Sequence, residues 1–277
     1  MKSPGCGDKS PIFITGRCGA VLCLHGFTGT PYEVAPVARA LGSAGFCVSA
    51  PLLAGHGQDA RALGKTRWQD WLASAEKAFD EVRDKTGATT AAIVGFSMGG
   101  LLALRLARLR PTCVSALVIV SAPLRLPSWQ VVAANAWSCL PTLLRQGRLA
   151  TVRKRGGSDV TDDKVRFENP GLNELPMAGV VEIIKLAAVV RHDLSFLRAP
   201  VLVVHGERDR TVPLRASYEL AGSLASDVVE RLWLPRSGHL VGVDVERAQL
   251  CEAVLRFVSN HSCAAPVEAT NNPERVT

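Results

Sequence analysis

Short, mainly apolar runs recur along this chain, and nearly every one leads into a stretch with helical spacing. "AVLCL" (20–24), "FCVSA" (46–50), "AAIVG" (91–95), "VSALVIVSA" (114–122), "PVLVVHG" (200–206) and "VVERLWL" (228–234) read as strands. Helical patterns occupy 31–44, 98–110, 214–224 and 244–258. A further one carries Trp68, Trp71, Leu72, Ala75, Phe79 and Val82 on one face. Strands without polar alternation need cover on both faces. Alternation with helices supplies that cover and makes a mostly parallel sheet, so the class is α/β. Residues 123–197 break the rhythm, with helical patterns ("VVAANAWSCLPTLL", "VVEIIKLAAVV") and no strand. The simplest reading is a core at 1–122 and 198–260, a helical cap at 123–197 and a flexible tail at 261–277. Such a cap sits over the C-terminal edge of the sheet, where open α/β folds bind ligands.

Composition narrows the function classes. Hydrophobic residues make up 47% and aromatics only 5%, so the core is expected to be mainly Leu, Val and Ala. The net charge of +7 gathers at Arg105, Arg108 and Arg110 and in Arg145, Arg148, Arg153, Lys154 and Arg155. No aromatics interleave with the first group and the second runs into Gly156-Gly157, so nucleic-acid binding is not expected. None of the eight cysteines forms a CxxC pair, which leaves zinc and dithiol chemistry without support. Scattered thiols in apolar segments point to a reducing, cytoplasmic compartment. Gly16 and Arg17 interrupt the first apolar stretch, so no signal peptide is read, and no apolar run approaches the ~18 residues of a membrane span. Neither a metal nor a cofactor is expected.

Chemistry concentrates at "GFSMGG", residues 95–100. Gly-x-Ser-x-Gly between a strand and a helix is the context in which a serine is held at a strained bend above a sheet. The helix start behind Ser97 favours nearby negative charge. A serine hydroxyl needs a base. Of the six histidines, His261 is in the tail and His192 in the cap; His25 and His205 end strands, and His56 lies in "AGHG". His239, in "PRSGHL" after the last strand, shares an edge with Ser97 and is the expected base. The orienting acid is sought in "HGERDRTVP", on the same edge. Asp209 is the better candidate there; Glu207 lies two residues short of the usual position. The order Ser97, Asp209, His239 fits this arrangement. The expected oxyanion donors are the backbone N–H groups of Met98, after the serine, and Phe27, in "HGFTGTP".

As a set, "LHGFTGTP", "GHG" followed by "WQDW", "GFSMGG", "HGERDRTVP" and "SGHLVGVDVER" resemble the bacterial carboxylesterase and monoacylglycerol lipase group of α/β-hydrolases. The likeness spans about residues 20–258 and includes "RFENP" in the cap. It implies an α/β-hydrolase fold with a small helical lid and no cofactor. It also implies hydrolysis of small-molecule carboxylic esters with short or medium acyl chains, monoacylglycerols among them. By this resemblance Ser97 is the nucleophile, His239 the base, Asp209 the acid, and Phe27 and Met98 the oxyanion donors. The basic stretch "RQGRLATVRKRGGSDVTDD" departs from the group's pattern. Glu168 in "RFENP" is either a glycerol ligand or an exposed cap residue. Trp129, Val131, Val132, Trp137, Leu140, Leu143, Ile183, Ile184 and Leu186 are expected to shape an acyl tunnel while packing the cap; Trp68 and Trp71 belong to the core. Two alternatives stay open: the same scaffold acting on lactones, amides or C–C bonds, and a ligand-sensing receptor without turnover. Transient contact with a lipid surface is also left open, and oligomeric state is not legible.

Overall fold

A computed structural model describes residues 5–145, 150–154 and 156–262, with backbone alone at 129, 143 and 144. In chain order the core begins with β1 (Ile12–Ile14), β2 (Ala20–Leu24), a 3-10 turn at Pro31–Glu33, α1 (Ala35–Ser43) and β3 (Cys47–Ala50). Then come α2 (Ala60–Leu63), α3 (Trp68–Thr86), β4 (Ala91–Phe96), α4 (Met98–Leu109) and β5 (Val114–Val120). The insertion holds α5 (Ser128–Ser138), α6 (Thr142–Arg145), β6 (Thr151–Arg153), α7 (Asp163–Glu168), β7 (Glu174–Pro176) and α8 (Met177–Asp193). The chain then returns through β8 (Val201–Gly206), α9 (Arg215–Ser223), β9 (Val229–Leu234) and α10 (Arg247–Ser262).

Seven strands form one sheet in the order β1-β3-β2-β4-β5-β8-β9. Every pairing within this sheet is parallel except β1 on β3, so it is a mostly parallel α/β sheet with one antiparallel edge. Side chains alternate across it. Leu22, Leu24, Ile93, Leu117 and Val203 face a core built with α3, α4 and α8. Val21, Cys23, Val94, Val118 and Val204 face a second core built with α1 and α10. Both layers are fully buried along β2 and β4, which is why these strands show no polar alternation.

Three expectations are corrected. The insertion does contain strands: β6 and β7 pair antiparallel, with Val152 opposite Leu175. Each has only three residues, two of the three in β6 are exposed, and β7 begins with an exposed glutamate and ends in proline, so neither carries an apolar pattern. The edge strand β1 is equally short and half exposed, and its sequence gave no strand signal. The closing helix starts at Arg247 and runs through Ser262, so residues 261 and 262, expected in the tail, are helical. The rest of the expected tail, 263–277, lies outside the described residues.

The insertion is not perched on the core. Ile183, Leu186, Ala187 and Val190 of α8 are buried in the same apolar cluster as α3 and α4. Arg105 of α4 donates to Asp193 at the end of α8 at 3.0 Å, with Arg108 4.0 Å from the same carboxylate. Arg110 pairs with Asp80. The two arginines of α4, and Arg110 just beyond its end, are therefore matched by carboxylates.

Candidate active site

Ser97 lies between β4 and α4 with φ 51° and ψ −118°, a left-handed conformation that a non-glycine residue adopts only when its surroundings impose it. The surroundings are tight. A Cβ on Gly95 would lie 2.3 Å from Gly99 O, and one on Gly99 would lie 2.4 Å from Leu24 O. The two glycines let α4 start directly against β2 and β4. Ser97 N–H donates to Val120 O at 2.8 Å, which fixes the bend to β5. Thr28 and Ser121, after β2 and β5, are the other two positive-φ residues that are not glycine among the described residues. All three follow parallel strands on the C-terminal edge.

The expected partners converge there. His239 Nε2 is 2.9 Å from Ser97 Oγ, and His239 Nδ1 is 2.8 Å from Asp209 Oδ2. With the carboxylate accepting from Nδ1–H, Nε2 is left as the acceptor for the serine hydroxyl. The Asp209 side chain is 1% exposed, and its Oδ1 accepts from the N–H groups of Thr211 and Val212 at 2.8 and 2.7 Å. Glu207 is exposed on the same loop. Phe27 and Met98 flank the serine: Met98 opens α4, so its N–H has no intrahelical acceptor, and Phe27 N–H donates to no backbone carbonyl among the described residues.

The remaining histidines have structural partners. His25 lies between Gly26 O and Leu53 N, and His56 bonds Ala54 O. Burial pushes His25 down to about 3 and His56 down to about 4, so both are neutral props for the loop that carries Gly26 and Phe27. His205 is fully buried, bonded to Ser217 Oγ and Val212 O, with Nε2 also 3.2 Å from Asp209 Oδ2. His192 is exposed and His261 stacks on Phe257.

Charges set the balance. Burial opposes the cationic form of His239, but Asp209, by its charge and its hydrogen bond, together with Asp159 and Glu33, holds its pKa above the ordinary value. Burial works to raise Asp209, and the two neighbouring histidines and its backbone donors overcome it and leave the carboxyl below its ordinary value. Burial raises Glu33, against the pull of Lys154 and His239. Burial lowers Lys154, against the pull of Glu33.

Several site residues were not anticipated. Asp159, from the insertion, accepts from Arg210 N and Thr211 Oγ1 at 2.9 Å, and its own carbonyl accepts from Leu240 N at 3.1 Å. It therefore touches the loops carrying both Asp209 and His239. Asp244 is fully buried; it takes the N–H of Gly238 at 2.7 Å and the N–H groups of Thr161 and Asp162. Glu33 lies inside the curve of the oxyanion loop, where a Cβ on Gly29 would meet its carboxylate. Lys154 reaches Thr28 on the same loop. Glu33 stood out only as an acid just after "HGFTGTP"; nothing separates Lys154 from its basic neighbours in the sequence.

A cavity of about 320 Å³ opens over Ser97 and His239. Its lining includes the apolar side chains of Leu126, Leu175, Val180 and Ile183 and the polar or charged ones of Thr28, Glu33, Lys154 and Asp159. Of the expected tunnel residues, Ile183 lines it. Val131, Val132 and Ile184 line a separate groove, which shares Leu126 with the cavity. Leu186 is packed into the core, and Trp137 lies under Arg145. The side chains of residues 129 and 143 lie outside the described residues. Glu168 lines another pocket, with Tyr32 and Arg39, and not this cavity. Trp71 is fully buried and Trp68 packs beside it in the core. Among the described residues no cluster of three or more His, Cys, Asp or Glu could hold a metal, and no helix is long and apolar enough to cross a membrane.

Comparison with known proteins follows the same geometry. The family described as "Serine aminopeptidase, S33" matches residues 16–246. The chain is 28% identical over 264 residues to the thermostable monoacylglycerol lipase of Bacillus sp. (strain H-257), covering 94% of this chain and 98% of that one. It is 25% identical over 249 residues to a carboxylesterase of Bacillus subtilis (strain 168), covering 90% and 95%. A solved structure from work on LipS and LipT, two metagenome-derived lipolytic enzymes, superposes with a TM-score of 0.82 at 25% identity, covering 94% of this chain and all of that one.

Proposed function

This chain belongs to the serine aminopeptidase S33 family of hydrolases, and from that membership we propose that it is a serine esterase acting through an acyl-enzyme. Its substrates are carboxylic esters of short to medium acyl chains, monoacylglycerols among them. One observation carries the reading: an unbroken line of contacts from Ser97 Oγ through His239 to Asp209, at 2.9 and 2.8 Å. The relatives that cover nine-tenths or more of the chain, a monoacylglycerol lipase and a carboxylesterase, favour esters as the bond cleaved.

The chemistry follows from the contacts. His239 Nε2 takes the proton of Ser97 as Oγ attacks the ester carbonyl. Negative charge moves onto the carbonyl oxygen, which accepts from the N–H groups of Phe27 and Met98; each such donor contributes roughly 3 kcal/mol in comparable sites. Asp209 keeps the imidazole in its Nδ1–H form and steadies the imidazolium. The C–O bond breaks and His239 returns the proton to the departing alcohol. Water, deprotonated by the same nitrogen, then cleaves the acyl-enzyme to acid and free Ser97. The apolar side chains of the cavity take the acyl chain and the polar ones the alcohol portion.

The test is a pair of measurements on the intact chain. Turnover of p-nitrophenyl butyrate and of 1-monobutyrin, with butyranilide as the amide comparison, gives the bond class. A fluorophosphonate probe should label the wild type and leave Ser97→Ala unlabelled. Turnover undiminished in a folded Ser97→Ala protein would sink the reading.

A further inference from the structure

The polar lining of the catalytic cavity raises a question that an esterase mechanism does not use: why a lysine is directed into it. Lys154 follows β6, and its backbone N–H is held by Asn173 O at 2.8 Å. Its side chain runs to the oxyanion loop, where Nζ donates to Thr28 Oγ1 at 2.6 Å and Thr28 in turn donates to Phe27 O at 2.5 Å. An ammonium has three N–H donors. Among the described residues Thr28 is the one acceptor that Nζ reaches, and no carboxylate lies within 4.0 Å of it. The lysine lines the same cavity as Ser97 and His239.

The surroundings specify what those donors would meet. A second cleft, of about 520 Å³, joins the first at Lys154 and Gly157; among the described residues it is otherwise lined by Arg153, Gly156 and Asn173, with no acidic side chain. In the catalytic cavity itself two acids face the same space. Asp159 is already bonded to Arg210 and Thr211, and Glu33 lies beyond 4.0 Å of Lys154 Nζ; burial raises the Glu33 carboxyl and lowers the Lys154 ammonium, and the charge of each opposes the shift of the other. Leu126, Leu175, Val180 and Ile183 offer apolar contacts to the hydrocarbon part of a substrate. A polar group on the ester has, in the same cavity, a lysine with unused donors and, adjoining it, a cleft that also carries Arg153. Charge-assisted hydrogen bonds to such a group are about twice as strong as neutral ones.

We propose that Lys154 anchors a subsite for an anionic group, a carboxylate or a phosphate, on the alcohol portion of the ester, with Arg153 and Asn173 lining the space beyond it. This deepens the esterase reading and rests on it. No step of the reaction changes: the alcohol still leaves with the proton from His239, and the anion serves to select and orient the substrate.

The test uses two matched pairs of butyrate esters, with butyrate release followed for the intact chain. One pair is O-butyryl glycolate against O-butyryl glycolamide; the other is butyryl 2-phosphoethanol against butyryl 2-methoxyethanol. The wild type should prefer the charged member of a pair in kcat/KM. Lys154→Met should lower the charged-to-neutral ratio by about tenfold or more, and Lys154→Arg should keep most of it. Rates on every ester fall in Lys154→Met, since Thr28 loses its donor, but the ratio removes that common loss. Raising NaCl to 0.5 M should shrink the wild-type ratio. An effect confined to one pair supports the subsite and names its anion. A wild-type preference for the neutral members, or a ratio unchanged in Lys154→Met, overturns it. Failure of the wild type on all four esters would overturn the esterase reading instead.

Discussion

Replacing Gly99 by alanine is the sharpest test of how the serine bend is held. The added Cβ would lie 2.4 Å from Leu24 O and 2.7 Å from His25 O, where ordinary contact begins at 3.4 Å. Both neighbours are backbone of the central sheet, so no side chain can rotate away. The start of α4 must retreat from β2 by about 1 Å. Overpacking of this kind costs about 1–3 kcal/mol. For a domain of this size, at about 2–4 °C per kcal/mol, that corresponds to a Tm lower by roughly 2–12 °C. Ser97 is two residues away, and its 2.9 Å contact with His239 has no slack for a displacement of that size. A misplacement of about 1 Å costs on the order of 10²-fold in rate. The assay is a thermal melt beside kcat on p-nitrophenyl butyrate. Gly87→Ala is the control: its φ is 66° but nothing lies within 4 Å of the added atom. It should lose about 1 kcal/mol to backbone strain and keep wild-type kcat. A Gly99→Ala protein with unchanged Tm and kcat would refute the close-approach argument. Equal loss of kcat in both variants would refute its attribution to crowding.

Asp209→Asn should lower kcat by about 10³–10⁴-fold, as in other triads that lose their carboxylate. It should also move the acid limb of kcat/KM to lower pH, because Asp209 helps hold His239 above its ordinary value and the base works only when neutral. Acid stability tests the two buried props. His25 and His56 have folded values of about 3 and about 4 against an ordinary 6.5, so the unfolded chain takes up protons that the folded chain refuses. Their stabilising effect is complete above pH 6.5 and is lost as pH falls, at up to about 1.4 kcal/mol per pH unit for each. Urea melts between pH 7 and 5 should show this slope, and His56→Phe should make it shallower. Asp159→Ala should lower kcat about 10–100-fold by loosening two loops, while core stability in the same melts falls by no more than about 2 kcal/mol.

The central strands and the meeting of Ser97, His239 and Asp209 were legible because each rests on local chemistry. An all-apolar run has one use in a layered sheet, and Gly95 and Gly99 leave room for a serine bend that bulkier residues would close. Short elements were not legible. β6 and β7 are held by their mutual register and by the insertion around them, not by side-chain pattern, and Pro176 argues against a strand. Helix ends shifted for a similar reason: Asp244, three residues before α10, is occupied with the Thr161 and Gly238 amides. Most opaque were Glu33, Asp159 and Lys154. Each acquires its part through neighbours far along the chain, Lys154 through Thr28 and Asp159 through Arg210 and Leu240, and no periodicity encodes such a meeting. The tunnel expectation failed because neighbouring positions of one helix serve two separate spaces, which sequence spacing does not distinguish. Ile183 and Ile184 are adjacent in sequence, yet one faces the cavity and the other a different groove.

The knot of hydrogen bonds at residues 159–162 bears on how such enzymes could be recombined. Asp159 grips the strand-end loops after β8 and β9, and Asp244 grips Thr161 and Asp162 in return. Trimming this region away as a dispensable cover, or grafting a sister enzyme's version in its place, would unfasten the imidazole and its carboxylate at the same stroke. A chimera that keeps turnover would have to splice downstream of this clasp, inheriting Asp159 and Thr161 from the same parent as Asp244.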